Sequence, residues 1–117
     1  MAKSGSRQRL RLVQISEDMR HLCALLGQEL LRWPDVSARS MFGLRAFYRG
    51  AVVFAMLPDK RALESPTAIA YKLPDGLRRR EGEKWRLYEL KDEPGIDNAV
   101  AYLDAAYRKA VGRGRKV

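Results

Sequence analysis

The 117-residue chain has little of what disulfides, metal sites and histidine-dependent catalysis require. It contains a single cysteine, Cys23, which excludes an internal disulfide, and a single histidine, His21. The two residues are two positions apart, about 200° around a helix, so they cannot share a metal ion. We therefore expect a surface or otherwise satisfied histidine, a buried and inert cysteine, and no metal site.

Sequence motifs for phosphate loops, membrane helices and catalytic dyads are also missing. The nine glycines form neither GxxxxGK[ST] nor GxGxxG. Neighbouring carboxylates occur at 81–83, in a polar loop, and at 92–93, before a predicted helix, where solvation and capping explain them. No run approaches the ~18 apolar residues of a membrane helix, and the N-terminus lacks the apolar core of a signal peptide. We expect a cytoplasmic, non-catalytic protein with no cofactor and no membrane partner.

Acidic residues are absent from both ends of the chain. Residues 1–14 carry four basic groups and residues 108–117 carry five. The other 93 residues hold 14 basic and 14 acidic groups, so the whole net charge of +9 lies at the ends. Basic charge at the ends of the chain is weaker evidence for a folded nucleic-acid-binding face than a basic stripe on the domain itself. We predict disorder for the N-terminal segment 1–9 and for the tail 112–117, around a single domain at 10–111.

The longest apolar, β-prone stretch runs from Val36 to Leu57 and is broken by turn signals at Gly43 and Gly50. β-Branched and aromatic residues suit a pleated surface, and glycine allows the positive φ of a tight reversal. We predict three consecutive antiparallel strands, at 36–42, 44–48 and 51–57. A fourth and a fifth strand are predicted at 67–73 and 84–90.

Two amphipathic helices flank these strands. The first has Ser16 as its N-cap and ends before Pro34, and the last is capped by Asp92 or Glu93 and ends at Gly112. In both helices the apolar residues recur at offsets 0, 3, 4, 7, 11 and 14, which is one face of an α-helix. They are Met19, Leu22, Cys23, Leu26, Leu30 and Trp33 in the first, and Ile96, Ala99, Val100, Leu103, Tyr107 and Ala110 in the last.

Two short stretches complete the predicted order. Residues 10–15 fit both a strand and a frayed lead-in to the first helix, and residues 59–65 are predicted to form at most two helical turns before Pro66. The resulting order is α-β-β-β-(short α)-β-β-α. Helices at both ends of an antiparallel five-stranded sheet predict a two-layer α+β sandwich.

The basic clusters are candidates for contacts with nucleic acid. Three guanidinium groups at Arg78–Arg80 suit phosphate binding, although Asp75, Glu81 and Glu83 balance them locally. The two ends of the chain supply the other candidates, among them a short RG-type sequence at 112–116. The candidate set is Arg7, Arg9, Arg11, Arg78, Arg79, Arg80, Arg113, Arg115 and Lys116.

Short motifs distributed over most of residues 17–111 carry a family resemblance. They are Met41-Phe42-Gly43, Phe47-Tyr48-Arg49-Gly50, Val53-Phe54-Ala55, Ala70-Tyr71-Lys72-Leu73-Pro74, Trp85 and Ala106-Tyr107. In these motifs the chain resembles the MmcQ/YjbR group and, more distantly, the N-terminal domain of the competence regulator TfoX/Sxy. The resemblance implies a two-layer α-β-β-β-α-β-β-α fold and a DNA-binding role without catalytic residues.

The chain also departs from these families. Leu44 stands where the TfoX type usually has a second glycine, and the segment 75–84 is shorter than in YjbR-like chains. A second, TfoX-like C-terminal domain is not expected either, so the resemblance does not favour a competence-regulator function.

Two functions are consistent with this reading. The first is a non-catalytic domain that associates with DNA or RNA through phosphate contacts from the ends and from Arg78–Arg80. The alternative is a protein-interaction module whose docking surface is a sheet edge or a patch near Trp85, and whose basic ends aid solubility. The two differ in whether the ends and the arginine cluster project on the same side of the fold.

Overall fold

The computed structural model describes residues 11–72 and 85–114, the last four of them by their backbone alone. Over these residues the chain forms two helices, α1 (Glu17–Leu30) and α2 (Gly95–Gly114). It also forms seven strands: β1 (Leu12–Gln14), β2 (Val36–Met41), β3 (Leu44–Arg49), β4 (Val52–Pro58), β5 (Arg61–Leu63), β6 (Ala68–Lys72) and β7 (Trp85–Glu89).

The main sheet has five antiparallel strands in the order β2-β3-β4-β6-β7. All five predicted strands are present, within two residues of their predicted bounds, and the predicted α+β class is confirmed. A β-bulge between Phe47 and Tyr48 shifts the register of β3 against β4. Such a bulge increases the local twist of a strand pair.

Both helices lie against one face of this sheet, where they bury the main core. Leu26, Leu30 and Leu103 are fully buried there against Phe47, Phe54, Leu57 and Ile69. α1 begins where predicted, because the Ser16 side chain accepts a hydrogen bond from the Met19 N–H at 3.1 Å. α2 is preceded by Asp92, whose carboxylate accepts from the Gly95 N–H at 3.1 Å.

The predicted short helix at 59–65 is wrong. The chain instead forms β5, which pairs antiparallel with β1 in a separate two-stranded sheet, Leu12 opposite Leu63. The carbonyl of Gly43 accepts from the N–H groups of Asp59, Lys60 and Arg61 at 2.8–3.1 Å, which places this segment against the β2–β3 turn. These partners are distant in sequence, and they override a locally helical composition.

The helix ends also differ from the predicted ones. α1 ends at Leu30, and Trp33 follows in a turn. α2 continues through Gly112 to Gly114, so the predicted end at Gly112 is wrong and the first three residues of the predicted tail 112–117 belong to the helix. The rest of that tail, the segment 1–9 and the polar run 75–84 lie outside the described residues.

Candidate functional site

The face of the main sheet opposite the helices carries a second apolar surface. Side chains alternate between faces along a strand, so the register identifies this helix-free face. Ala46 pairs with Met56, Met56 with Ala70, and Ala70 with Leu87. Ala46 and Ala70 are buried without belonging to the main core, as are Leu44 and Ala68. The helix-free face therefore consists, along these pairs, of small and apolar side chains.

An apolar cleft of about 280 Å³ opens on this face. It lies between the small β1–β5 sheet and the main sheet, and every side chain that lines it is apolar. The lining residues are Leu12, Met41, Phe42, Leu44, Met56, Leu63 and Trp85. Several of these side chains remain in contact with solvent, Leu12 at 39% and Phe42 at 79% of their full exposure. The cleft is thus an apolar surface that remains accessible to solvent.

Phe42 occupies an unusual position at one end of the apolar cleft. It forms the two-residue β2–β3 turn with Gly43, between the paired residues Met41 and Leu44. Both turn residues have positive φ, 51° for Phe42 and 85° for Gly43. Asparagine, aspartate or glycine usually takes the first position of such a turn, because a bulky side chain is strained there. The fold therefore holds a large exposed aromatic ring in an unfavourable backbone conformation.

Three cationic side chains are neighbours of lining residues in the strands: Arg39 is two residues before Met41, Arg61 is two before Leu63, and Lys72 pairs with Trp85. The Lys72 ammonium lies 5.7 Å from the Trp85 ring centre, and the Arg39 guanidinium lies 5.9 Å from the Tyr48 ring centre on the same face. The stem of Arg61 packs on Gly43, where an added Cβ would lie 2.7 Å from Arg61 Cγ. Within the described residues none of these three cations forms an ion pair.

The carboxylates nearest the apolar cleft are already engaged. Glu64 follows the cleft residue Leu63 and accepts from the Arg11 backbone N–H at 2.6 Å. Glu89, on β7, accepts from the hydroxyls of Ser65 and Thr67. Both carboxylates keep their negative charge in these hydrogen bonds. The three cations, which have no ion pair within the described residues, are what favours a negatively charged ligand.

The cationic segments leave the fold at two different ends of the main sheet. β6 ends at Lys72 and β7 begins at Trp85, so the segment that contains Arg78–Arg80 departs from and returns to one end, which we call the Lys72 end. The β3–β4 turn lies at the same end, because Ala55 of β4 pairs with Tyr71 and Arg49 with Val52.

The later part of α2 approaches this Lys72 end as well. Arg49 donates to the Tyr107 carbonyl at 3.0 Å, and its guanidinium lies 4.0 Å from the Tyr107 ring centre. The Tyr107 hydroxyl donates to the Pro34 carbonyl at 2.8 Å, just before β2 begins. Arg11, by contrast, adjoins Glu64 beside the β1–β5 sheet, near the opposite end. The part of α2 that carries Lys109 and Arg113 therefore approaches the end where β6 ends and β7 begins, whereas β1 begins near the opposite end.

The described residues offer little for covalent or metal chemistry. His21 is exposed, as expected. Cys23 is buried, and burial together with the nearby charge of Asp59 raises the pKa of its thiol to about 12. Among the residues described, no group of three or more histidine, cysteine, aspartate or glutamate side chains could hold a metal ion.

Most of the nine predicted site residues lie outside the described part of the chain. Arg11 is described and exposed, and Arg113 is described by its backbone within α2. The remaining seven predicted residues fall in 1–10, 73–84 and 115–117. The apolar cleft was not predicted as a site, although the expected patch near Trp85 adjoins it. The sequence held one signal for this cleft: Phe42, a bulky residue, precedes Gly43 at a predicted hairpin turn, where small or polar residues are usual.

The fold defines the protein as a two-layer α+β domain with an antiparallel five-stranded sheet. Comparison with protein-family models, with curated proteins and with solved structures gives no significant match. No helix in the described ranges is both long and apolar enough to span a membrane.

Proposed function

We propose that the protein is a non-catalytic, cytoplasmic domain that associates with nucleic acid, mainly through phosphate contacts at the Lys72 end of the sheet. One observation carries the proposal: β6 ends and β7 begins at the same end of the sheet that the later part of α2 approaches. Lys72, Lys109 and Arg113 belong to these described elements, and the sequence that continues from them contains Arg78, Arg79, Arg80, Arg115 and Lys116. The resemblance of its short motifs to those of the MmcQ/YjbR group supports the same role.

Charge is the physical basis of this affinity. A chain with a net charge of +9 attracts a polyanion over a long range, and each neutralised phosphate releases counterions. At the C-terminal end of α2, Arg108 is paired with Asp104 at 2.8 Å, whereas Lys109 is exposed and has no ion pair within the described residues. Contacts between cationic side chains and phosphates position a protein on nucleic acid without reading base edges, so we expect little sequence preference.

The proposal is tested by measuring affinity against salt concentration. Fluorescence anisotropy with a labelled 30-base-pair duplex should show log Kd rising linearly with log salt. The slope is about 0.9 for each phosphate neutralised, so four or five engaged cations give a slope of about 4. Replacing Arg78, Arg79 and Arg80 together by glutamine should lower the slope and weaken binding at low salt.

A matched control uses three cations of the N-terminal segment, which precedes Arg11 and β1 in the chain. Replacing Lys3, Arg7 and Arg9 by glutamine removes the same charge as the arginine triple variant. Equal losses for the two variants would show that net charge alone drives binding and would contradict a localised surface. An absence of binding by the full chain at low salt would contradict nucleic-acid association altogether.

A further inference from the structure

We propose that the apolar cleft on the helix-free face is a docking site for an acidic, amphipathic segment of another protein. The segment would insert aliphatic or aromatic side chains between the β1–β5 sheet and the main sheet. Its carboxylates would pair with Arg39, Arg61 and Lys72. This site shares Lys72 with the phosphate contacts proposed above, but its apolar lining and its other two cations belong to neither those contacts nor that proposal.

The lining of the cleft indicates the apolar part of the partner. Five of its seven side chains are leucine or methionine, which provide no hydrogen-bonding groups and adapt readily to another apolar surface. Phe42 stands at the rim with 79% of its surface exposed, in a turn that would be less strained without it. Aromatic side chains, phenylalanine among them, are enriched in protein interfaces.

The charges around the cleft indicate the polar part of the partner. Arg39, Arg61 and Lys72 have no ion pairs within the described residues, and the nearby carboxylates of Glu64 and Glu89 are held by local hydrogen bonds. An approaching acidic segment therefore meets three cations that it can pair with, against two carboxylates that keep their charge. Such complementarity of charge sets the specificity and the association rate of an interface.

Other occupants fit this combination less well. The segment 1–10 precedes β1 in the chain, but its sequence carries three cations and no acid, so like charges oppose its docking. Single-stranded nucleic acid is negatively charged, but bases need aromatic faces and polar edge contacts. The cleft offers mainly aliphatic side chains, and the Trp85 ring already lies beside the Lys72 ammonium.

The test begins with selection from a phage-displayed library of random 12-residue peptides on the immobilised full chain. We expect the selected peptides to combine leucine, isoleucine or phenylalanine with flanking aspartate or glutamate. A labelled peptide carrying the consensus should bind at least tenfold more weakly to Phe42→Asn, and also to Leu12→Gln. It should bind several-fold more weakly to Arg39→Gln, with a smaller dependence on salt.

The matched control is Leu31→Asn. Leu31, the C-cap residue of α1, is 41% exposed, close to the 39% of Leu12, and it does not line the cleft. The control variant should bind the peptide as the unaltered chain does. Selected peptides without acidic residues, or peptide binding that survives both Phe42→Asn and Leu12→Gln, would overturn the proposal. So would a dT12 oligonucleotide whose binding depends on Phe42, or a dimer in sedimentation equilibrium that Phe42→Asn abolishes, because these outcomes identify a nucleic acid or a second copy as the occupant.

Discussion

At the scale of single residues, Phe42 is the position where local conformational preference and the observed structure disagree most. A non-glycine residue in the left-handed region costs roughly 1–2 kcal/mol, and the cost is lower for asparagine, which is common in this turn. Phe42 recovers little of that cost through burial, because most of its side chain remains exposed.

We therefore predict that Phe42→Asn stabilises the isolated domain by about 1 kcal/mol. The measurement is the free energy of unfolding from urea denaturation followed by circular dichroism. The control is Gly43→Ala, which should destabilise the domain, because φ at Gly43 is 85° and the new Cβ would lie 2.7 Å from Arg61 Cγ. A destabilised Phe42→Asn variant would mean that contacts of the Phe42 ring outweigh the strain of the turn.

Cys23 leads to a prediction about pH. Its thiol pKa is raised from 9.0 in the unfolded chain to about 12 in the folded protein, mainly by burial. Between these two values the unfolded state releases a proton that the folded state retains. The contribution of Cys23 to stability is therefore fully present below pH 9 and falls by about 1.4 kcal/mol per pH unit above it.

The comparison that isolates this effect is between the unaltered chain and Cys23→Ala. The free energy of unfolding of each is measured from pH 8 to pH 10.5, and the difference between them should shrink as pH rises. The alanine variant starts from lower stability because of the cavity it leaves, so only the change with pH is interpreted. Parallel curves, or rapid thiol labelling of the native protein, would show that Cys23 is accessible to solvent.

At the scale of elements, α2 depends on a single apolar stripe. Leu103 is fully buried at its centre, whereas Asp104 lies beside it and forms a surface ion pair with Arg108. We predict that Leu103→Ala lowers the free energy of unfolding by ~2–5 kcal/mol. Asp104→Ala should lower it by less than about 1 kcal/mol, as is usual for exposed pairs. Thermal denaturation that shifts equally for both variants would show that α2 presents a different face to the sheet.

The sequence was sufficient to predict the elements whose signals are local. Alternating β-prone residues and turn glycines located the strands from Val36 to Leu57, and the 3.6-residue period located both helices. β5 was missed because its partner β1 is about fifty residues earlier and its anchor is the carbonyl of Gly43. A three-residue strand with a locally helical composition is determined by such distant pairing, which a local pattern cannot reveal.

The functional surfaces show the same division between local and distant information. A charged cluster such as Arg78–Arg80 is visible in the sequence, but the end of the sheet that it shares with α2 follows only from strand order. The apolar cleft combines residues from β1, β2, the β2–β3 turn, β3, β4, β5 and β7. No contiguous stretch contains that set, although Phe42, a bulky residue before a turn glycine, was a local signal.

At the scale of the whole molecule, the two basic ends are not equivalent. α2, which carries Lys109 and Arg113, approaches the Lys72 end, whereas the described chain begins at Arg11, beside Glu64. The protein therefore offers phosphate contacts at one end of the sheet and an apolar cleft on the face that the helices leave open.

We predict that changing Arg113, Arg115 and Lys116 to glutamine lowers the salt slope of duplex binding by about 2, if most of these cations engage phosphates. The control is the Lys3, Arg7 and Arg9 triple variant, which should lower the slope by less than 1. Neither variant should change the melting temperature, because none of the six altered residues belongs to the described hydrophobic core. A larger effect of the N-terminal triple would assign the nucleic-acid contacts to the opposite end of the sheet.

The two tryptophans lie in different environments, so their intrinsic fluorescence can report on two parts of the molecule. Trp33 donates to Glu29 and packs edge-on against Tyr107 at 5.0 Å between ring centres, inside the aromatic cluster that α2 completes. Trp85 lines the apolar cleft and is partly exposed. Emission from Trp33 should therefore report the integrity of the core, and emission from Trp85 the occupancy of the cleft. Trp85→Phe and Trp33→Phe variants would separate the two signals within one unlabelled chain.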